Sequence, residues 1–151
     1  MVYSGKKLFN GNNAVGVFLA LLFGYITFIE PKTSHIGWLM LFITLLITAN
    51  EAFYFEMTAN EFIVKNYILP FVALRYDIST ITSIELNSTN YKSTADAAVK
   101  IIRDKRRSMN FRASSLGLNE WQNLVNDLAS RKITLYVTAS RLVDKIGIPE
   151  N

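Results

Sequence analysis

Two long apolar runs open the chain, and a mixed, alternating pattern fills the rest. Residues 14–29 read AVGVFLALLFGYITFI, and residues 36–49 read IGWLMLFITLLITA. Neither run shows a polar face at the helical spacing expected of a half-covered surface helix. The link at 30–35 is polar and contains Pro31, a helix breaker. From Leu8 to Asn50 the only full charges are Glu30 and Lys32. Two apolar helices joined by a short turn are therefore predicted. A bilayer core needs about 20 apolar residues and rarely fewer than about 17. Charge-free flanks extend both runs, so transmembrane spans are expected at about 10–29 and 35–50. Two helices buried in a soluble core, or a re-entrant hairpin, are the alternatives. Lys6 and Lys7 could serve as the basic start of a signal peptide. No small-residue cleavage signature follows them, and a second apolar run comes at once, which favours an uncleaved anchor.

Basic residues set the expected orientation. Lys6 and Lys7 precede the first run, while Lys65, Arg75 and many more follow the second. Positive residues favour the cytoplasmic side, so both termini are expected there, around a very short external turn. Tyr25 and Trp38 lie near the external ends of their runs, where amphipathic rings suit an interface. Gly16, Ala20 and Gly24 recur every four residues and would form a smooth stripe for close helix packing. That stripe serves either the second helix of the same chain or a partner subunit or second copy.

Beyond residue 50 the periodicity shortens. Phe53, Phe55 and Met57 alternate with Tyr54, Glu56 and Thr58, and residues 58–61 read as a tight turn. Residues 62–69 are β-branched and aromatic until Pro70 interrupts them, which predicts a bulge or break there. Ile84 and Leu86 resume the alternation, and 87–90 is a loop by composition. Val99, Ile101 and Arg103 share one strand face, and residues 104–107 form a polar turn. Met109 and Phe111 then read as the inward side of a returning strand. Leu118, Trp121, Leu124, Val125 and Leu128 fall on one face of an amphipathic helix, with Ser115 or Asn119 as its cap. Residues 133–137 are strand-like, and 139–146 read as a short helix.

This order, carried by FYFEMTANEFIVKN (53–66), YDISTITSIEL (76–86), AVKIIRD (98–104), SMNFRASS (108–115) and LNEWQNLVNDL (118–128), resembles the bacterial pleckstrin-homology-like domains. It is most similar to small membrane proteins in which two spans precede such a domain. The resemblance covers about 80 residues and rests on pattern, without an invariant motif. It implies an α+β fold: an N-terminal two-helix transmembrane hairpin, then a pleckstrin-homology-like bent antiparallel β-sheet or barrel capped by one C-terminal helix. In that frame Trp121 is a core anchor. The expected division is a hairpin at 1–50, a cytoplasmic domain at 51–132 and a C-terminal extension at 133–151. The resemblance also implies an adaptor, assembly or regulatory role in a bacterial inner membrane, and it carries over no catalytic residue.

Composition narrows the chemistry. The chain has 151 residues, 50% of them hydrophobic and 19% charged, and it contains no Cys and one His. Thiolate metal sites, disulfides and cysteine nucleophiles are thereby excluded. His35 lies in the link beside the second run, where a structural role outweighs a catalytic one. No phosphate-binding loop occurs. Glu51, Glu56 and Glu61 do not share a face and read as solvated. From residue 51 onward 11 acidic and 13 basic residues occur. Among them Lys100, Arg103, Lys105, Arg106, Arg107 and Arg112 cluster within 13 positions that hold Asp104 as their one acid. This cluster is the candidate contact for anionic lipid head groups or an acidic protein partner; a solvated hairpin tip is the bland alternative. Nucleic acid is not expected, since no aromatic stripe accompanies the charges. The expected function is non-enzymatic: an accessory or scaffold subunit, or a membrane-tethered protein-interaction module, with the bilayer and a protein partner or second copy as contacts. No cofactor or metal is expected. An anionic-lipid sensor, or a small membrane-bound enzyme acting on lipid or envelope precursors, is the alternative.

Overall fold

A computed structural model describes residues 1–3, 11–29, 34–88, 97–104 and 106–138. The chain begins with strand β1 (Val2–Tyr3), followed by helices α1 (Gly11–Ile29) and α2 (Ser34–Glu51). Strands β2 (Phe53–Met57), β3 (Glu61–Asn66) and β4 (Ala73–Asp77) come next, then a 3-10 turn (Ile78–Thr80). Strands β5 (Ser83–Ser88), β6 (Ala97–Arg103), β7 (Arg106–Arg107) and β8 (Phe111–Arg112) lead to helix α3 (Leu118–Ser130) and strand β9 (Thr134–Val137).

Two sheets form the domain. The first has the order β1-β2-β3-β4, all antiparallel. The second has the order β7-β6-β5-β9, with β8 also on β6. β9 joins β5 in parallel. Alternation puts Phe55, Phe62, Val64, Ile84, Leu86, Val99, Ile101 and Phe111 into one buried cluster. α3 closes it with Trp121, Leu124, Val125 and Leu128, all buried. The Trp121 ring lies 6.1 Å from that of Phe55, so the helix is anchored by an aromatic contact inside the core. Gly117, with no side-chain cap bond, occupies the N-cap in place of Ser115 or Asn119.

The register explains two local departures from the pattern. Between β7 and β8 the pairing on β6 shifts by one residue, since Ile102 faces Arg107 but Val99 faces Phe111. Such a bulge turns one side chain over. Phe111 is therefore buried while Met109 is exposed. β3 ends at Asn66, before Pro70, because the Asn66 side chain accepts the backbone N–H groups of Ile68 and Leu69 at 2.9 and 3.0 Å. The same side chain donates to the Ala49 carbonyl at 2.6 Å, alongside the Ala52 N–H at 3.2 Å, at the end of α2.

α1 and α2 run antiparallel: Gly16 meets Thr48, and Gly37 meets Thr27. Among the described residues no helix is long and apolar enough to cross a membrane. The physical reason is length. The uninterrupted apolar runs hold 16 and 14 residues, about 24 and 21 Å at 1.5 Å per residue, against a hydrocarbon core of roughly 30 Å. Asn12 and Asn13 begin α1, and Asn50 and Glu51 end α2, so helix length adds no apolar length. The predicted transmembrane hairpin is corrected accordingly, and so is the multi-pass placement in a bacterial inner membrane with both termini cytoplasmic. Among the described residues the architecture is α+β with three helices and two sheets, in place of a single bent antiparallel sheet behind a membrane hairpin. β1 and β4 are strands that the pattern did not predict, and the strand-like run at 133–137 is β9, whose parallel pairing with β5 it did not predict either. Lys6, Lys7, the 30–33 link and the predicted 139–146 helix lie outside the described residues.

Candidate functional site

The helical pair buries a narrow seam. On α2 the positions turned toward α1 are Gly37, Leu41, Thr44 and Thr48, at i, i+4, i+7 and i+11. Their counterparts on α1 are Gly16, Ala20, Phe23 and Thr27. A Cβ on Gly16 would collide with the Thr48 hydroxyl, and one on Gly37 with the Thr27 hydroxyl. Those threonines are themselves fixed, with Thr27 Oγ1 donating to the Phe23 carbonyl and Thr48 Oγ1 to the Thr44 carbonyl. Gly16 and Ala20 of the predicted small-residue stripe thus lie along the seam with the second helix of the same chain. Gly24 has nothing within 4 Å of a built Cβ, so it takes no part in close packing.

Most of the apolar residues off that seam are exposed. Phe18, Leu21 and Phe28 are 65%, 69% and 82% exposed. Ile36, Trp38, Leu39, Phe42, Leu46 and Ile47 are likewise exposed on α2. A surface helix ordinarily has the reverse arrangement, with apolar residues inward and charge outward. Between the helices a cleft of about 340 Å³ is lined by Gly16, Val17, Ala20, Leu21, Leu41, Leu45, Thr48 and Ile68. The pair is held to the sheets at the end of α2. Ser114 Oγ donates to the Glu51 carbonyl at 2.9 Å, and Ala52 bridges Ala113.

At the opposite extreme of polarity, the basic cluster divides. Lys100 faces Glu85 across the β5–β6 ladder and pairs with it at 3.4 Å. Arg112 lies 3.8 Å from Glu51. Arg103 sits over the Tyr76 ring, 4.9 Å from its centroid. Arg106 and Arg107 are exposed on β7 with no ion pair among the described residues. Lys105 lies outside the described residues. Three acids that read as solvated are paired: Glu51 with Arg112, Glu56 with Lys65, and Glu61 with Arg75. The bond to Glu56 raises the Lys65 pKa. Sequence spacing misses these partners because strand register decides them.

No group of three or more metal-ligating side chains occurs among the described residues. His35 is exposed in the first turn of α2. A second cleft, of about 350 Å³, lies beside β1 and α3 and includes Glu120, Asn123, Asn126 and Asp127. Tyr3 donates its hydroxyl to Asp127 there. Burial first, and then that bond, raise the Tyr3 pKa. Comparison with family models, with curated proteins and with solved structures finds no match.

Proposed function

We propose that this protein is a non-enzymatic interaction module that associates with a second copy of itself through its helical pair. The observation that carries this reading is the arrangement of α1 and α2, which bury a narrow seam and expose most of the rest of their apolar surface. Large contiguous apolar patches on folded proteins mark interaction sites. A second copy fits the patch for two reasons. The described parts of both helices carry no charge before Glu51, so no charge pattern selects a foreign partner. The patch also contains both a cleft and exposed side chains outside it such as Phe18, so a two-fold pairing supplies ridge and groove from the same surface.

Light scattering on the purified 151-residue chain tests this reading. The expected result is a dimer or larger assembly that Leu21→Gln with Phe42→Gln converts to monomer at unchanged helix content. Because the chain has no cysteine, Leu21→Cys provides a second readout. It should cross-link two copies on oxidation, while Thr134→Cys on the far sheet should not. A wild-type chain that stays monomeric over the accessible concentration range overturns the reading.

A further inference from the structure

We propose that Arg103 and Arg106 form a binding site for a tetrahedral oxyanion, with phosphate dianion as its ligand class. The two are direct cross-strand partners at the closed end of the β6–β7 hairpin. Such partners share a sheet face with Cβ atoms about 4.5–5.5 Å apart, and like charges placed so repel each other. Both side chains are exposed, and neither has an ion pair among the described residues. Lys100 and Arg112, by contrast, are matched to Glu85 and Glu51. The repulsion between Arg103 and Arg106 is therefore left for a ligand to relieve.

Position is supplied by the core. Tyr76 is 8% exposed, and its ring meets the Phe111 ring edge-on at 6.4 Å. The Arg103 guanidinium lies over this fixed ring. Stacking occupies the face of a guanidinium and leaves its N–H edge for hydrogen bonds. A carboxylate has oxygens for one such fork, whereas a tetrahedral dianion can accept two forks and neutralise both charges. Asp104 is the one acid in the hairpin end. It sits in the turn at φ 49, with its backbone N–H donated to Thr82 Oγ1. Arg107 faces Ile102 and so stands on the other side of the sheet.

The test is titration of the 151-residue chain with inorganic phosphate at fixed ionic strength, with chloride as the reference anion. Binding is followed by the side-chain Nε–H signals of Arg103 and Arg106. Saturable shifts are expected, strengthening as inorganic phosphate loses its second proton near neutral pH, and for a phosphate monoester as pH rises through about 6. Arg106→Gln should weaken binding about tenfold or more, as should Arg103→Lys, which keeps the charge but loses the fork. Arg107→Gln should change it less than about twofold. Thermal unfolding confirms that each variant is folded. O-phosphoserine forms a second arm. Affinity equal to that of phosphate identifies the free ion as the ligand, and tighter binding identifies an esterified phosphate. Shifts matched by chloride, or equal losses in the Arg106 and Arg107 variants, overturn the site. The charges then act diffusely, as guards of an exposed sheet edge.

Discussion

Tyr3 and Asn66 each join parts of the chain that are distant in sequence. Tyr3 is 3% exposed and donates its phenol to Asp127 on α3. Burial, then the bond and charge of Asp127, hold the phenol protonated above its ordinary pKa, with Arg131 opposing. An unfolded tyrosine ionises near about 10. Above that pH the native state holds a proton that the unfolded state has lost. Stability is therefore fully present below about 10 and falls as pH rises toward the folded value. Denaturant midpoints measured across alkaline pH should show this decline, and Tyr3→Phe should remove part of it while costing about 1 kcal/mol at neutral pH. Tyr76, raised by burial against the influence of Arg103, keeps its own share in that variant. Asn66→Ala strands the amides of Ile68 and Leu69 and removes one of two donors to the Ala49 carbonyl, which keeps the Ala52 N–H. A loss of about 1–3 kcal/mol is expected in equilibrium unfolding. Neither role is readable from the sequence, because an Asn in a β-like run or a Tyr near the first residue has no visible partner until the chain folds.

Among the elements, the helical pair and α3 show opposite kinds of legibility. The i, i+3, i+6, i+7 and i+10 spacing over 118–128 matches the face that α3 buries, with Leu118 partly exposed at its start. Trp121→Ala should cost about 3–5 kcal/mol by calorimetry or denaturant titration, as expected for an aromatic at 0% exposure. The apolar runs at 14–29 and 36–49 do coincide with helices. Their glycines, however, are unequal in a way that spacing cannot show. Gly24→Ala should leave thermal stability unchanged or raise it by up to about 1 kcal/mol, since its Cβ meets open space. Gly37→Ala should lower it by about 1–3 kcal/mol, because the added methyl displaces the back-bonded Thr27. Equal melting shifts in the two variants would refute the seam. The β6–β8 bulge is a further feature that alternation missed. One residue inserted into the pairing turned Met109 outward while Phe111 stayed in the core.

For the molecule as a whole, two surfaces of opposite polarity make separable predictions. Association through α1 and α2 is apolar, so sodium sulfate should tighten the assembly measured by light scattering. Phosphate binding at Arg103 and Arg106 is exposed and electrostatic, so added sulfate should weaken it, by screening and by competing as a tetrahedral dianion. Salt that moved both in one direction would tie the two surfaces to a single cause. What the sequence determined by itself is local. Apolar runs fixed where helices form, alternation fixed most of the strands, and the absence of Cys with a single His removed whole classes of chemistry. What the tertiary structure decided is every relation between distant positions. It set the length of helix that is truly apolar, which overturned the membrane hairpin. It inserted the helical pair between β1 and β2 of one sheet and added β9 in parallel to β5. It matched Lys100 and Arg112 to acids while giving Arg106 and Arg107 none among the described residues. The physical reason is that propensity and periodicity act over a few residues, whereas register, burial and charge pairing depend on which surfaces the whole chain brings into contact.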